Sequence, residues 1–141
     1  MPEADAVRPV LAVDGECRIK HVFEDAKLVW SGGSIEIGDH YGDPNCGLVN
    51  TCVGWCATGG EGLVICHFDG GLPKGTARSA EKRLKKSELW RRSSPPPSGA
   101  YWSVEGMWFY RDDLIRVVVE PVSEHAGLYE VDVRTLAWRK L

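Results

Sequence analysis

Hydrophobic and polar positions alternate most regularly in the last third of the chain. Ile115, Val117 and Val119 oppose Arg116 and Glu120, and Tyr129, Val131 and Val133 oppose Leu128, Glu130 and Asp132. A period of two puts successive side chains on opposite faces of a strand, one buried and one wet. The spacing predicts strands over 101–104, 107–111, 114–120, 128–133 and 136–140. Turn-length breaks separate them at Glu105-Gly106, Asp112-Asp113, 123–127 and Arg134-Thr135. Such a series forms an antiparallel meander.

The first half predicts strands over 18–23, 27–30, 34–37, 48–56 and 63–68. Residues 63–68 are apolar on both faces, the pattern of a central strand. Residues 76 to about 92 are the one helix candidate, with Ala77, Ala80 and Leu84 on one side and basic residues over most of the rest. Residues 1–6 read as a loose polar end. The Pro95-Pro96-Pro97 run makes 93–99 an extended loop. No repeat of 20–50 residues is visible. The expected fold is mainly β, in the α+β class: an antiparallel meander forming a curved sheet, sandwich or barrel, with one basic helix near 76–92.

A length of 141 residues fits a single globular domain, large enough to fold without metal or disulfide staples. Six tryptophans are many for this length, and each buried indole N–H needs a partner. The net charge of −3 conceals an asymmetry. Residues 74–92 hold eight basic and two acidic residues, a surplus of six positive charges, so the remainder stands at −9. An acidic body disfavours non-specific binding to nucleic acid and anionic membrane. No apolar run has the length of a signal peptide core or a membrane span. The expected compartment is the cytoplasm, where thiols stay reduced. Five cysteines, an odd number, cannot all pair within the chain.

Four of those cysteines, Cys46, Cys52, Cys56 and Cys66, fall within 21 residues, and His67 follows the last. The spacing C-x5-C-x3-C-x9-C-H lacks the C-x2-C pairs with which zinc ribbons build a tetrahedron. If 50–56 is a strand, Asn50, Cys52, Gly54 and Cys56 share one face. Cys66 and His67 point to opposite faces and do not easily hold one metal. The favoured reading is small buried hydrophobes. No metal or cofactor is expected; were zinc bound, Cys52, Cys56, Cys66 and His67 would be its ligands.

Asp39, His40 and Asp43 share a loop with the donors for a divalent ion, though Asp, Asn, Gly and Pro are also what turns require. The glycine loops at 59–62 and 69–71 lack the strand–loop–helix frame of a phosphate loop and read as hairpin connections. The basic segment could contact nucleic-acid phosphates, but interleaved aromatics are lacking. A solvated amphipathic helix is the better reading.

Met107-Trp108-Phe109-Tyr110-Arg111-Asp112-Asp113-Leu114-Ile115-Arg116-Val117, with Gly127-Leu128-Tyr129-Glu130-Val131-Asp132-Val133 and Trp138-Arg139-Lys140, resembles the meanders of small bacterial toxin-immunity proteins. The likeness spans only 101–141 and is one of strand and turn pattern, which propeller blades share. It implies a non-catalytic protein that occludes a cognate toxin's active site with a charged rim and aromatic anchors. The expected partner is that toxin or another protein, and the expected state a monomer or small homo-oligomer. Candidate contacts are Asp39, Asp43, Trp55, Glu61 and Asp69, or the basic residues Lys82, Arg83 and Lys86. Two other classes remain open: a small metal- or thiol-dependent enzyme built on the 46–67 cluster, and an RNA-binding accessory protein using the basic helix.

Overall fold

The computed structural model describes residues 10–40, 42–90, 102–121 and 125–141. The expected loose end at 1–6, the loop at 93–99, Tyr101, the expected helical positions 91–92 and residues 123–124 of the turn at 123–127 lie outside them.

The chain is mainly β, as its alternation predicts. Among the described residues twelve strands form three four-stranded antiparallel sheets, each a sequential meander. The first holds β1 (Val10–Asp14), β2 (Cys17–Val22), β3 (Asp25–Trp30) and β4 (Gly33–Asp39). The second holds β5 (Cys46–Asn50), β6 (Trp55–Gly60), β7 (Gly62–Phe68) and β8 (Leu84–Leu89). The third holds β9 (Val104–Arg111), β10 (Leu114–Val119), β11 (Gly127–Asp132) and β12 (Trp138–Lys140). A short helix, α1 (Ala77–Arg83), precedes β8.

The sheets stack as three layers with two cores. Ile19, Leu28, Ile35 and Ile37 of the first sheet meet Cys56, Val64, Cys66 and Phe68 of the second. On the second sheet's other side, Trp55, Ala57, Leu63 and Ile65 meet Val104, Ile115, Val117, Tyr129 and Val131 of the third. The second sheet is thus buried on both faces, which is why 63–68 carries no polar stripe.

The layers form a fan. The Asp14 carboxylate at the end of β1 accepts from Thr51 N at 2.9 Å, just past the end of β5. Asn45 Nδ2, just before β5, donates to the Val104 carbonyl at the start of β9 at 2.9 Å. β1, β5 and β9 therefore run parallel along one edge, and β5 approaches both others within 8 Å between Cα atoms. Gly59 makes that edge tight, since a Cβ there would lie 2.5 Å from Val104 Cγ1. Toward the outer edges the gaps are filled. Ala80 of α1 joins the first core, and Trp90, Trp102 and Trp138 surround Tyr129 beside the second. One supersecondary unit thus occurs three times, a repeat that leaves no recurring residue pattern.

Three expectations are corrected. The break expected at Glu105-Gly106 is absent, because β9 runs unbroken from Val104 to Arg111. The helix does not run over 76–92. It begins where Thr76 Oγ1 accepts from Ser79 N at 3.2 Å and ends at Leu84, whose backbone is extended. Residues 84–89 instead pair with β7 from Leu84↔Phe68 to Leu89↔Leu63. Completing the ladder of a strand buried on both faces outweighs helix propensity here. Nor is 48–56 one strand. Asn50 Oδ1 accepts from Cys52 N and Val53 N at 3.1 and 3.2 Å, and Gly54 takes φ +89°, so the chain turns back as a hairpin.

Candidate functional site

The face of the third sheet turned away from the second is the most distinctive surface among the described residues. Because β9 to β12 are in register, Trp108, Arg116, Glu130 and Arg139 form one row across all four strands. The Glu130 carboxylate accepts from Arg139 at 3.0 Å and lies 3.8 Å from Arg116. The Arg116 guanidinium carbon sits 3.8 Å from the centre of the Tyr110 ring, within cation–π range. Half-buried Leu114, Val118 and Leu128 flank the row.

Three consecutive aromatics of β9 remain exposed: Trp108 by 44%, Phe109 by 46% and Tyr110 by 46%. Trp108 and Tyr110 belong to the outward face. Phe109 faces the other way and tilts against Trp55, with ring centroids 5.6 Å apart. Aromatics and arginine together are what protein interfaces concentrate. Composition alone does not find this site, because consecutive aromatics read equally well as a doubly buried strand. The missing fact is that β9 belongs to a terminal sheet.

The contact residues expected from sequence do not form one patch. Trp55 is fully buried in the second core, so it offers no surface. Glu61 is also buried, in the β6–β7 turn, where it pairs with Ser103. Asp39 and Asp43 are exposed near the end of β4 and the loop after it. Asp69 lies at the opposite end of the fan, 3.7 Å from Lys85. Lys82 and Lys86 are exposed, but on different elements, α1 and β8. Arg83 donates to the Asp69 and Gly71 carbonyls at 2.7 and 2.8 Å, which holds the loop before α1.

The cysteine cluster is split as well. All five thiols are free. Cys56 and Cys66 face each other across β6 and β7 inside the first core, where Cys17 joins them. Cys46 borders the second core, and Cys52 is exposed on the β5–β6 turn. The small face of Asn50, Cys52, Gly54 and Cys56 expected on one strand is absent because the turn intervenes. His67 turns from Cys66, as alternation requires, and Nε2 donates to the Val133 carbonyl at 2.7 Å. Among the described residues no three His, Cys, Asp or Glu side chains converge as a metal site. The Cys56 thiol is held well above its ordinary pKa, first by its hydrogen bond with Cys66 and then by burial. Burial also raises Cys17, helped by Asp14 and Glu16, and pushes Cys46 up to about 12. These shifts favour neutral thiols over nucleophilic thiolates.

His40 of the 39–45 loop is buried. Its Nδ1 donates to the Glu61 carbonyl at 3.1 Å, so Nε2 accepts from Thr58 Oγ1 at 2.9 Å. This arrangement anchors a turn and leaves the ring enclosed. No helix among the described residues is long and apolar enough to cross a membrane. Comparison with protein-family models, with curated proteins and with solved structures returns no match.

Proposed function

We propose that this chain is a non-catalytic protein-binding domain and, in its most specific form, an immunity protein that inhibits a cognate toxin by covering its active site. The exposed run Trp108-Phe109-Tyr110 beside Arg111 and Arg116 carries the reading. Large aromatic side chains left in water are stabilised by a partner that removes that area, and in interfaces Trp, Tyr and Arg dominate the energy.

Co-expression with the toxin domain encoded beside its own gene tests this. The chain should restore growth. Trp108→Ala with Tyr110→Ala should abolish the rescue while leaving thermal melting close to that of the parent, because both side chains stand nearly half in solvent. Rescue that survives the double substitution would remove this face from the function.

A further inference from the structure

We infer that a second copy of this chain occupies the outward face of the third sheet, receiving it on the outward face of its own first sheet, so that two chains close a ring of six sheets. The inference rests on the protein-binding reading of the Trp108 face and names a second copy, in place of a toxin, as the occupant of that face.

Internal repetition is the first support. The chain makes the same junction twice, one four-stranded meander packed face to face on the next. The two faces that no other described residues cover, on the first and third sheets, are the unmatched halves of a third such junction. The parallel edge strands β1, β5 and β9 with filled outer gaps describe an arc. Meanders arranged radially about such an edge close into rings of about four to eight sheets. A head-to-tail contact makes a closed ring when its rotation returns to the start.

The distribution of exposed apolar side chains is the second support. Val10, Val13, Val22 and Phe23 belong to the first sheet or its β2–β3 turn. Trp108, Tyr110 and Leu141 belong to the third sheet or its end, whereas Phe109 and Trp138 lie on its inner side against Trp55 and Tyr129. Val53, on a turn, is the single exposed large hydrophobic of the second sheet among the described residues. The surplus apolar surface thus collects on the sheets that end the arc.

The chemistry of the faces also matches. Across the first sheet, Val13, Arg18, Val29 and Ser34 form one outward row, and Val10, Lys20, Lys27 and Glu36 form the next, in which Lys20 is buried. Across the third, Trp108 offers an exposed ring, while Arg116 covers the Tyr110 ring and Glu130 is held by Arg116 and Arg139. Exposed Arg18 on one side against the exposed Trp108 ring on the other is a complementary pairing.

The test is molar mass by light scattering of the purified 141-residue chain. The expected mass is twice the 15.6 kDa of one chain. Trp108→Asp and Arg18→Glu should each halve it. Mixing the two variants should restore a dimer, because one junction then keeps both native faces. Circular dichroism confirms folding, and Trp108→Ala serves if the aspartate variant does not fold. A monomeric parent chain overturns the ring. So does a dimer broken by Trp108→Asp, indifferent to Arg18→Glu and not restored by mixing, which is the signature of two third sheets meeting each other. A monomer that still binds a foreign protein through Trp108 overturns the ring and leaves the protein-binding reading standing. A monomer whose partner binding ignores Trp108 overturns both.

Discussion

Glu130 accepts from Arg139 at 3.0 Å across β11 and β12, yet the two side chains live in different solvents: that of Glu130 is 10% exposed and that of Arg139 is 71%. The pair is therefore asymmetric in what its loss costs. Arg139→Ala removes a wet partner, which typically costs under about 1 kcal/mol. Glu130→Ala removes the carboxylate that Arg116 also faces from a side chain only 21% exposed. Leaving a largely buried guanidinium without its counter-charge should cost about 2–4 kcal/mol. Urea unfolding checks this through the two midpoints at unchanged slope. Equal losses would mean that Arg116 finds enough compensation from Tyr110.

Thiol reactivity should follow position in the layers. Cys52 on the β5–β6 turn is exposed, whereas Cys66 donates to the Ile37 carbonyl at 3.1 Å and accepts from Cys56 inside the first core. In the folded protein near neutral pH one cysteine, Cys52, should react with a disulfide reagent at an ordinary rate. Cys56 and Cys66 should react only as fast as the fold opens. Cys52→Ser should remove the fast phase. A fast phase that persists in that variant would contradict the assignment.

Gly59 sets how closely the second and third sheets approach. A Cβ there would fall 2.5 Å from Val104 Cγ1 and 2.9 Å from Cys46 Sγ, both parts of a filled core. Gly59→Ala should cost about 1–3 kcal/mol, the range for overpacking. Gly75→Ala is the control, because nothing lies within 4 Å of a Cβ at that position. Equal melting temperatures for the two variants would show that the sheets can separate without penalty.

Much of this architecture is legible in residue alternation. Ile115, Val117 and Val119, and Tyr129, Val131 and Val133, are buried on the side their periodicity assigns. Leu63–Ile65 and their neighbours lack a polar stripe because two sheets cover them. The failures have local causes. Residues 84–89 look helical after Ala77 and Ala80, but the free edge of β7 recruits them into a ladder that is non-local in sequence. The 48–56 run looks continuous because Thr51, Cys52 and Val53 all have strand-like side chains, while the turn is made by the Asn50 side chain and Gly54. The three-layer repeat is carried by hydrogen-bond topology and not by recurring residues. The outward aromatics are invisible for the same reason: whether Trp108 meets a neighbouring sheet depends on how many sheets precede and follow it. The cysteines are close in sequence, yet Cys17, from outside their cluster, is the one that joins Cys56 and Cys66.

Alkaline pH should expose the buried thiols in the stability curve. The Cys46 thiol, ordinarily near 9.0, is pushed up to about 12 by burial, with a backbone hydrogen bond to Gly59 acting less strongly in the opposite direction. Below pH 9 the thiol keeps its proton in both folded and unfolded chains, so it contributes no slope. Between about 9 and 12 the unfolded chain has released that proton while the folded chain still holds it. Folding then takes up a proton, and stability falls as pH rises through that window. Cys17 and Cys56 shift in the same direction and add to the effect. Melting temperature should therefore decline above pH 9. Cys46→Ala should show a shallower decline, whatever its starting stability, because alanine carries no proton to lose. Parallel curves for parent and variant between pH 9 and 12 would mean that Cys46 ionises as readily in the fold as in the open chain.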